Sequence, residues 1–459
     1  MTRGPILSNM IKFAIPIMLG SLLQMCFNAA DLIVVGRYCG SDSVAAVGAT
    51  GAISNLMVNL FVGLSLGGGV AVANAVGAKD DDTVYKTVHT AMLTAVLSGI
   101  ILTVLGVPLS GALLRLMDTP EDILPLSKVY MQIHFAGSVP MLVYNYGASI
   151  LRASGESKKP LYFLTAAGVL NVLLNLFFVL VLDMNVAGVS LATTIAQTLS
   201  AFLVVRCMLR RTDSCRLEIK DLHIHKEPFL KILRIGIPSG IQGSLFSISN
   251  VLIQSSFNSL GTVVMKAQAA GQNINSFMGV IINAISSAVV NFCGQNMGAR
   301  NYERVKKVIY IGIAAGFVLG NVLGVTTYFL GKPLLGIYIT DSPEAIEIGM
   351  RRLMLMSLPY FTYGLNDAMS GALRGIGKSS AAMLTNVFGI CIYRIGWVYT
   401  VFRIPRFHTA DSLFISYPIS WILTFFIMYI WFYFNWDKVV LKEEQRYIAA
   451  KVGEAPDET

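Results

Sequence analysis

Asp31 is an ionisable side chain set inside an otherwise apolar run, Phe13 to Val35 of FAIPIMLGSLLQMCFNAADLIVVGRYCG. A carboxylate deep in a bilayer costs roughly 2.5 kcal/mol or more, and such residues line a pathway or a proton site. The chemistry open to it is the binding and release of a proton or a cation. Gln24 and Asn28 precede it by seven and three residues, so one helical face can hold all three. Pro16 lies one turn into the run. It removes a backbone donor and marks a hinge where the helix can bend. The competing reading puts Asp31 at the outer helix end, capped by Arg37.

Two further charges lie inside apolar stretches. Asp367 stands seven residues before Arg374, and Arg394 sits in the middle of CIYRIGWVY. A buried arginine is paired or faces water. Arg394 therefore balances Asp367 or binds an anionic part of a substrate. The region 242–291 is rich in amides, among them Gln242, Asn250, Gln254, Gln268, Gln272 and Asn291. Some would line a cavity. Others would join helices, at about 0.6 kcal/mol per bond.

Enzymatic constellations are weak. Gly63-Leu64-Ser65-Leu66-Gly67 has the hydrolase-elbow pattern, but that motif needs a strand-to-helix turn and this one lies in a helical run. Its small residues suit close helix packing. The six cysteines are scattered, and the five histidines offer one His-x-His pair and no further ligand spacing. No disulfide framework, zinc site, cofactor or catalytic set is implied.

The elements that hold these residues are membrane helices. The chain has 459 residues, 54% hydrophobic and 13% charged, against about 25% charged in soluble domains. The apolar residues come in long blocks, which defines an all-α polytopic membrane protein. The first block has the charge pattern of a signal peptide but no small-residue cleavage site, and reads as the first span. Twelve spans are expected, at 12–36, 44–76, 87–113, 124–150, 160–183, 186–210, 228–258, 263–297, 305–331, 345–373, 380–402 and 411–436. Residues 1–210 form a first lobe, 211–227 a polar linker, 228–436 a second lobe and 437–459 a tail. With the N-terminus inside, 25 basic residues fall on the inner side and nine, including Arg351 and Arg352, on the outer. This bias puts both termini in the cytoplasm, and the plasma (inner) membrane is the expected location. It also accounts for the net charge of +9 without nucleic acid.

The chain repeats itself. Ile15-Pro16 returns as Ile237-Pro238, Leu151-Arg152-x-x-Gly155 as Leu373-Arg374-x-x-Gly377, and Gly77-Ala78-Lys79 as Gly298-Ala299-Arg300. Six spans per repeat give two parallel halves about an axis along the membrane normal, as in alternating-access carriers.

Several stretches together resemble the multidrug and toxic compound extrusion (MATE) family. They are Gly4-Pro5-Ile6-Leu7, AADLIVVGR with VAAVGA, YNYGASILRASGESKKPLYF, NVLLN and ALRGIGKS. The resemblance covers essentially the whole chain. It implies two six-helix lobes related by a pseudo-two-fold axis, working as a monomer in the bilayer. Such proteins export organic cations and drugs in exchange for protons or Na⁺. Carried onto this sequence, the family's first-lobe cation site falls on Asp31, Asn171, Asn175 and Thr193. Asn175 departs from the pattern, since an Asp is expected there. Asp31, Asn171 and Thr193 would be the ligands of any Na⁺, but one carboxylate suits a hard cation poorly. Proton coupling is therefore expected. The branch of the family with an acid in span seven is not matched, because 239–258 contains no Asp or Glu. The alternative function is a flippase for lipid-linked or amphipathic substrates. It predicts a cationic central cavity, whereas Arg394 is the one mid-span cation that the sequence marks.

Overall fold

The computed structural model describes residues 1–452, and all regular structure among them is helical. The bilayer dictates this: a backbone in hydrocarbon must satisfy its own N–H and C=O groups. The first lobe comprises α1 (Ile6–Val34), α2 (Ser41–Ala78), α3 (Asp81–Leu116), α4 (Leu124–Ala136), α5 (Ser138–Ala153), α6 (Lys158–Leu176) and α7 (Asn185–Leu209). The second comprises α8 (Lys226–Asn258), α9 (Thr262–Gly298), α10 (Tyr302–Phe329), α11 (Gly331–Tyr338), α12 (Pro343–Arg352), α13 (Phe361–Gly375), α14 (Ser379–Asn386), α15 (Tyr393–Tyr399) and α16 (Ala410–Val452).

Among the described residues, nine segments are long and apolar enough to cross a membrane unaided, by length and composition. The remaining spans are interrupted or diluted. Span four breaks at Gly137, between α4 and α5. Span ten breaks between α12 and α13, and α8 carries serines and amides along its length. The expected tail begins as helix. From Asp437 the chain continues α16 as one helix to Val452, because DKVVLKEEQRYIAAK contains no Gly or Pro to stop it. Glu444 on this extension is paired with Arg300. Residues 453–459 of the expected tail lie outside the described residues.

The linker is docked rather than loose. Cys215 and Leu217 are buried against the first lobe. The Tyr85 hydroxyl donates to Asp221 Oδ2 at 2.7 Å, and His89 Nε2 accepts from the Glu218 N–H at 2.9 Å.

The internal repeat is written into the backbone. Left-handed residues recur in pairs: Gly40 (φ 86°) with Gly261 (φ 93°), Lys79 (φ 55°) with Arg300 (φ 56°), and Gly155 (φ 99°) with Gly377 (φ 77°). These stop equivalent helices in the two halves at equivalent places.

The lobes meet through α1, α2, α8 and α9. A Cβ on Gly63 or Gly67 of α2 would collide with α8 backbone at Gly240 or Ile232–Gly236. Glycine therefore permits backbone-on-backbone approach there. Ser65, at the centre of the elbow-like pattern, turns its hydroxyl back to the Val62 carbonyl at 2.7 Å. Further along, Asn74 Nδ2 donates to the Gly294 carbonyl at 2.9 Å, and Gln295 Nε2 to the Ala153 carbonyl at 2.7 Å. Phe13 meets Phe292 edge-on at 5.9 Å. These contacts cluster toward the membrane side that carries both termini. Near the opposite side, a Cβ on Gly40, Gly48, Gly51 or Gly261 would meet nothing within 4 Å. The lobes thus pack backbone to backbone toward the end that carries the termini, while glycines near the other end have open space beside them.

This geometry sorts the amides. Gln242, Gln268, Asn275 and Asn291 are buried between helices. Asn250, Gln254 and Asn258 on α8, and Gln272, Asn273 and Asn283 on α9, are exposed. An exposed polar stripe on a membrane helix must face water. These residues therefore line the cleft between the lobes.

Candidate functional site

In the first lobe, three helices converge on Asp31. Gly168 of α6 is filled by the ring of Phe27 on α1, where a Cβ would overlap the ring. That close approach sets Asp31, one turn beyond Phe27, against the α6 face bearing Asn171 and Asn175. The four-residue spacing keeps both amides on that face. Asn175 is wholly buried and Asn171 nearly so. Asn175 Nδ2 donates to Asp31 Oδ1 at 2.5 Å. Thr193 of α7 lies with Oγ1 3.4 Å from Asp31 Oδ2 and 3.0 Å from the Val189 carbonyl, and Asn171 Nδ2 donates to Thr193 Oγ1 at 3.2 Å. Thus the structure brings together Asp31, Asn171, Asn175 and Thr193.

The Thr193 hydroxyl carries one proton and faces two acceptors. When Asp31 is ionised, that proton can turn to Oδ2. When Asp31 is protonated, its own O–H can donate to Thr193 Oγ1, whose proton then returns to Val189. One heavy-atom arrangement thereby accommodates both charge states. As arranged, an amide N–H rather than an oxygen faces the carboxylate, which suits an anion or a carboxylic acid better than a Na⁺ cage. Among the described residues Asp31 forms no ion pair, and no group of three His, Cys, Asp or Glu side chains could hold a metal.

Gln24 and Asn28 do not join this pocket. Gln24 Nε2 donates to Asn28 Oδ1 at 3.2 Å, and both are exposed. The helical rotation that turns Phe27 and Asp31 toward α6 leaves them on the cleft side. Arg37 does not cap Asp31 either; it is exposed, with its guanidinium 5.9 Å from the Tyr38 ring. Pro16 is buried in α1, which continues through it without interruption. Sequence reasoning missed Tyr130 of α4, whose hydroxyl lies within the electrostatic reach of Asp31. No spacing in the sequence links the two.

In the second lobe, the expected pairing of Arg394 with Asp367 is not what the fold makes. The charge acting on Asp367 is Arg374, two turns along the same face of α13, and its Oδ2 has no hydrogen-bond partner. Arg394 donates from Nε to Ser420 Oγ at 2.9 Å and stacks over Tyr417, 3.9 Å from the ring centroid. Arg352, expected outside, is 0% exposed. Its neighbour Arg351 faces the surface and pairs with Asp411, because adjacent helical residues point about 100° apart. Arg352 donates to Gln268 Oε1 at 2.8 Å, and Gly271 of α9 leaves room for its guanidinium. No sequence signal marks this second buried cation, since Arg351 beside it makes the same letter pattern.

Four π-helical turns occur among the described residues: Val35–Cys39, Phe177–Val181, Leu353–Ser357 and Val387–Ile392. They adjoin Asp31, Asn175, Arg352 and Arg394 respectively. Such turns are frequent at functional sites.

A two-lobed, twelve-span helical protein with parallel repeats has the architecture found in alternating-access carriers. The chain belongs to the MatE family, whose sequence profile matches residues 16–177 and 238–400, once in each lobe. It is 30% identical over 396 residues to the probable multidrug resistance protein YpnP of Bacillus subtilis, covering 86% of this chain and 88% of that one. To the probable multidrug resistance protein YoeA of the same organism it is 27% identical over 440 residues, 94% of each. A solved multidrug resistance MATE family transporter in its outward-facing conformation superposes with a TM-score of 0.88 at 20% identity, covering 95% of this chain and 97% of that one.

Proposed function

We propose that the chain exports organic cations and drugs in exchange for protons, with Asp31 as the coupling group. The observation that carries this is a membrane-embedded carboxylate held by neutral donors, Asn175 and Thr193, with no cation beside it. Protonation neutralises the pocket, and an organic cation competes for the ionised form. Coupling follows if the two occupancies favour different arrangements of α1, with Pro16 as the place where it bends. The names of the relatives YpnP and YoeA, both probable multidrug resistance proteins, support the substrate class. A flippase for lipid-linked substrates would need a cationic central cavity, and the amides exposed on α8 and α9 are neutral.

Efflux of a fluorescent cation from vesicles under an imposed pH gradient is expected to proceed without Na⁺ and to vanish in Asp31→Asn. An absolute Na⁺ requirement would show that an asparagine at 175 suffices for a Na⁺ site. We also place both termini and 211–227 in the cytoplasm of a plasma (inner) membrane. A cysteine introduced at an exposed linker position such as Lys220 should resist an impermeant thiol reagent in intact cells; rapid labelling rejects this orientation.

A further inference from the structure

The second lobe holds positive charge without its counterpart. Arg394 is 5% exposed and Arg352 0%. Neither forms an ion pair among the described residues. Arg394 Nη2 and Arg352 Nη1 have no hydrogen-bond acceptor. The partners they do have are neutral: Ser420 for one, Gln268 and Gln272 for the other. Tyr417 lies in the field of both guanidiniums. The one acid inside this lobe, Asp367, is acted on by Arg374 instead. A guanidinium removed from water needs a compensating anion.

The surroundings of Arg394 are aromatic. Its carbon is 3.9 Å from the Tyr417 centroid and 5.4 Å from that of Trp421. Trp421 in turn meets Tyr363 at 5.2 Å and Tyr360 at 5.7 Å. Tyr363 lies in the neighbourhood of Asn283, an exposed amide of α9. The ring cluster therefore links an exposed face of α9 to the guanidinium of Arg394. The π turns Leu353–Ser357 and Val387–Ile392 adjoin the two arginines, as the other two adjoin the Asp31 pocket.

We infer that the second lobe binds the anionic oxygen group, carboxylate or phosphate, of a planar aromatic compound, with Arg394 holding the oxygens and the Tyr363–Trp421–Tyr417 wall stacking the ring. A guanidinium offers two parallel N–H groups to such a group, and aromatic faces stack planar bodies at low entropic cost. Arg352 adds positive potential from behind without touching the ligand. This site extends the exporter reading to anionic substrates, and binding is measured apart from transport so that the two fail separately.

The test uses the full chain in lipid nanodiscs and follows quenching of tryptophan fluorescence. Two probe pairs share a ring system and differ in charge: flavin mononucleotide against riboflavin, and 1-pyrenecarboxylate against 1-pyrenemethylammonium. In the wild type at least one anionic member should bind about tenfold tighter than its partner, and the pair that responds tells phosphate from carboxylate. Arg394→Gln should erase that preference while riboflavin binding persists. Arg394→Lys, which keeps the charge and loses the paired N–H groups, should retain part of it. Arg351→Gln, at the surface, should change nothing. Equal affinities within both pairs in the wild type overturn the inference. So does a preference that survives in a folded Arg394→Gln or, if that variant does not fold, one undiminished in Arg394→Lys. Anion preference without gradient-driven export of any compound would reject the exporter reading and leave the site standing.

Discussion

The two lobes share a backbone and oppose each other in charge. In the first, a carboxylate lies among amides and a hydroxyl, with Asn175 and Thr193 as its donors. In the second, guanidiniums lie among rings, with Tyr417 and Trp421 against Arg394. Shifting by 222 residues takes Asp31 to Ile253, Asn175 to Trp397, Arg394 to Val172 and Asp367 to Asn145. Duplication therefore kept the prolines and the left-handed stops, while the π turns and the chemistry were placed independently in each half. A carrier built this way can treat its coupling ion in one lobe and part of its cargo in the other, with the cleft between them as common ground.

The sharpest way to break this comparison is Asp31→Asn. Export under a pH gradient should fall at least tenfold, about 1.4 kcal/mol in the coupled step, while the protein still reaches the membrane. Wild-type efflux in that variant would remove the first lobe from the coupling scheme and turn attention to Asp367. The next largest effect is expected at the lobe interface. A side chain at Gly240 would meet the backbone of Leu60, so Gly240→Val should lower the melting temperature, at about 1–3 kcal/mol of overpacking, and abolish transport. Retained transport would show that α2 and α8 do not need backbone contact.

Thr193 sharpens the account of the acid pocket. Thr193→Ala removes the hydroxyl that serves both charge states of Asp31, and a bond to a charged group contributes roughly 1.5–3 kcal/mol at most. Efflux should drop about three- to tenfold, and Thr193→Ser should restore it. Equal activity in the alanine and serine variants would show that the hydroxyl is a spectator. Asp367→Asn should cost export threefold or less, roughly 0.7 kcal/mol, because Arg374 already acts on it. A collapse comparable to that of Asp31→Asn would erase the asymmetry between the lobes. The smallest effect concerns the linker. Tyr85→Phe deletes its exposed bond to Asp221, and the melting temperature should stay indistinguishable from that of the wild type.

Much was legible from particular residues. Asp31 announced itself as a charge in hydrocarbon, and Asn171 and Asn175 as a pair on one face. The repeat could be read from Pro16 and Pro238 and from the Gly155 and Gly377 stops. Arg352 was not legible, since its neighbour Arg351 makes the same letter pattern at the surface, and the helix rotation that separates them is set by packing against α9 through Gly271. Gln24 and Asn28 share the periodicity of Asp31 and yet stay exposed, because periodicity says which residues share a face and a neighbouring helix decides which part of that face is covered.

By itself the sequence determined the membrane class, the twelve spans, the twofold repeat and the buried charges. Those follow from apolar run lengths and from the cost of ionised groups in a bilayer, both local properties of the chain. Tertiary structure alone decided which charge meets which partner. It gave Asp31 to Asn175 and Thr193 rather than to Arg37, turned Arg394 onto Tyr417 rather than Asp367, and sorted the amides of α8 and α9 into buried joints and cleft lining. Helix rotation and close approach at glycines fix those outcomes, and they arise from packing between segments far apart in the chain.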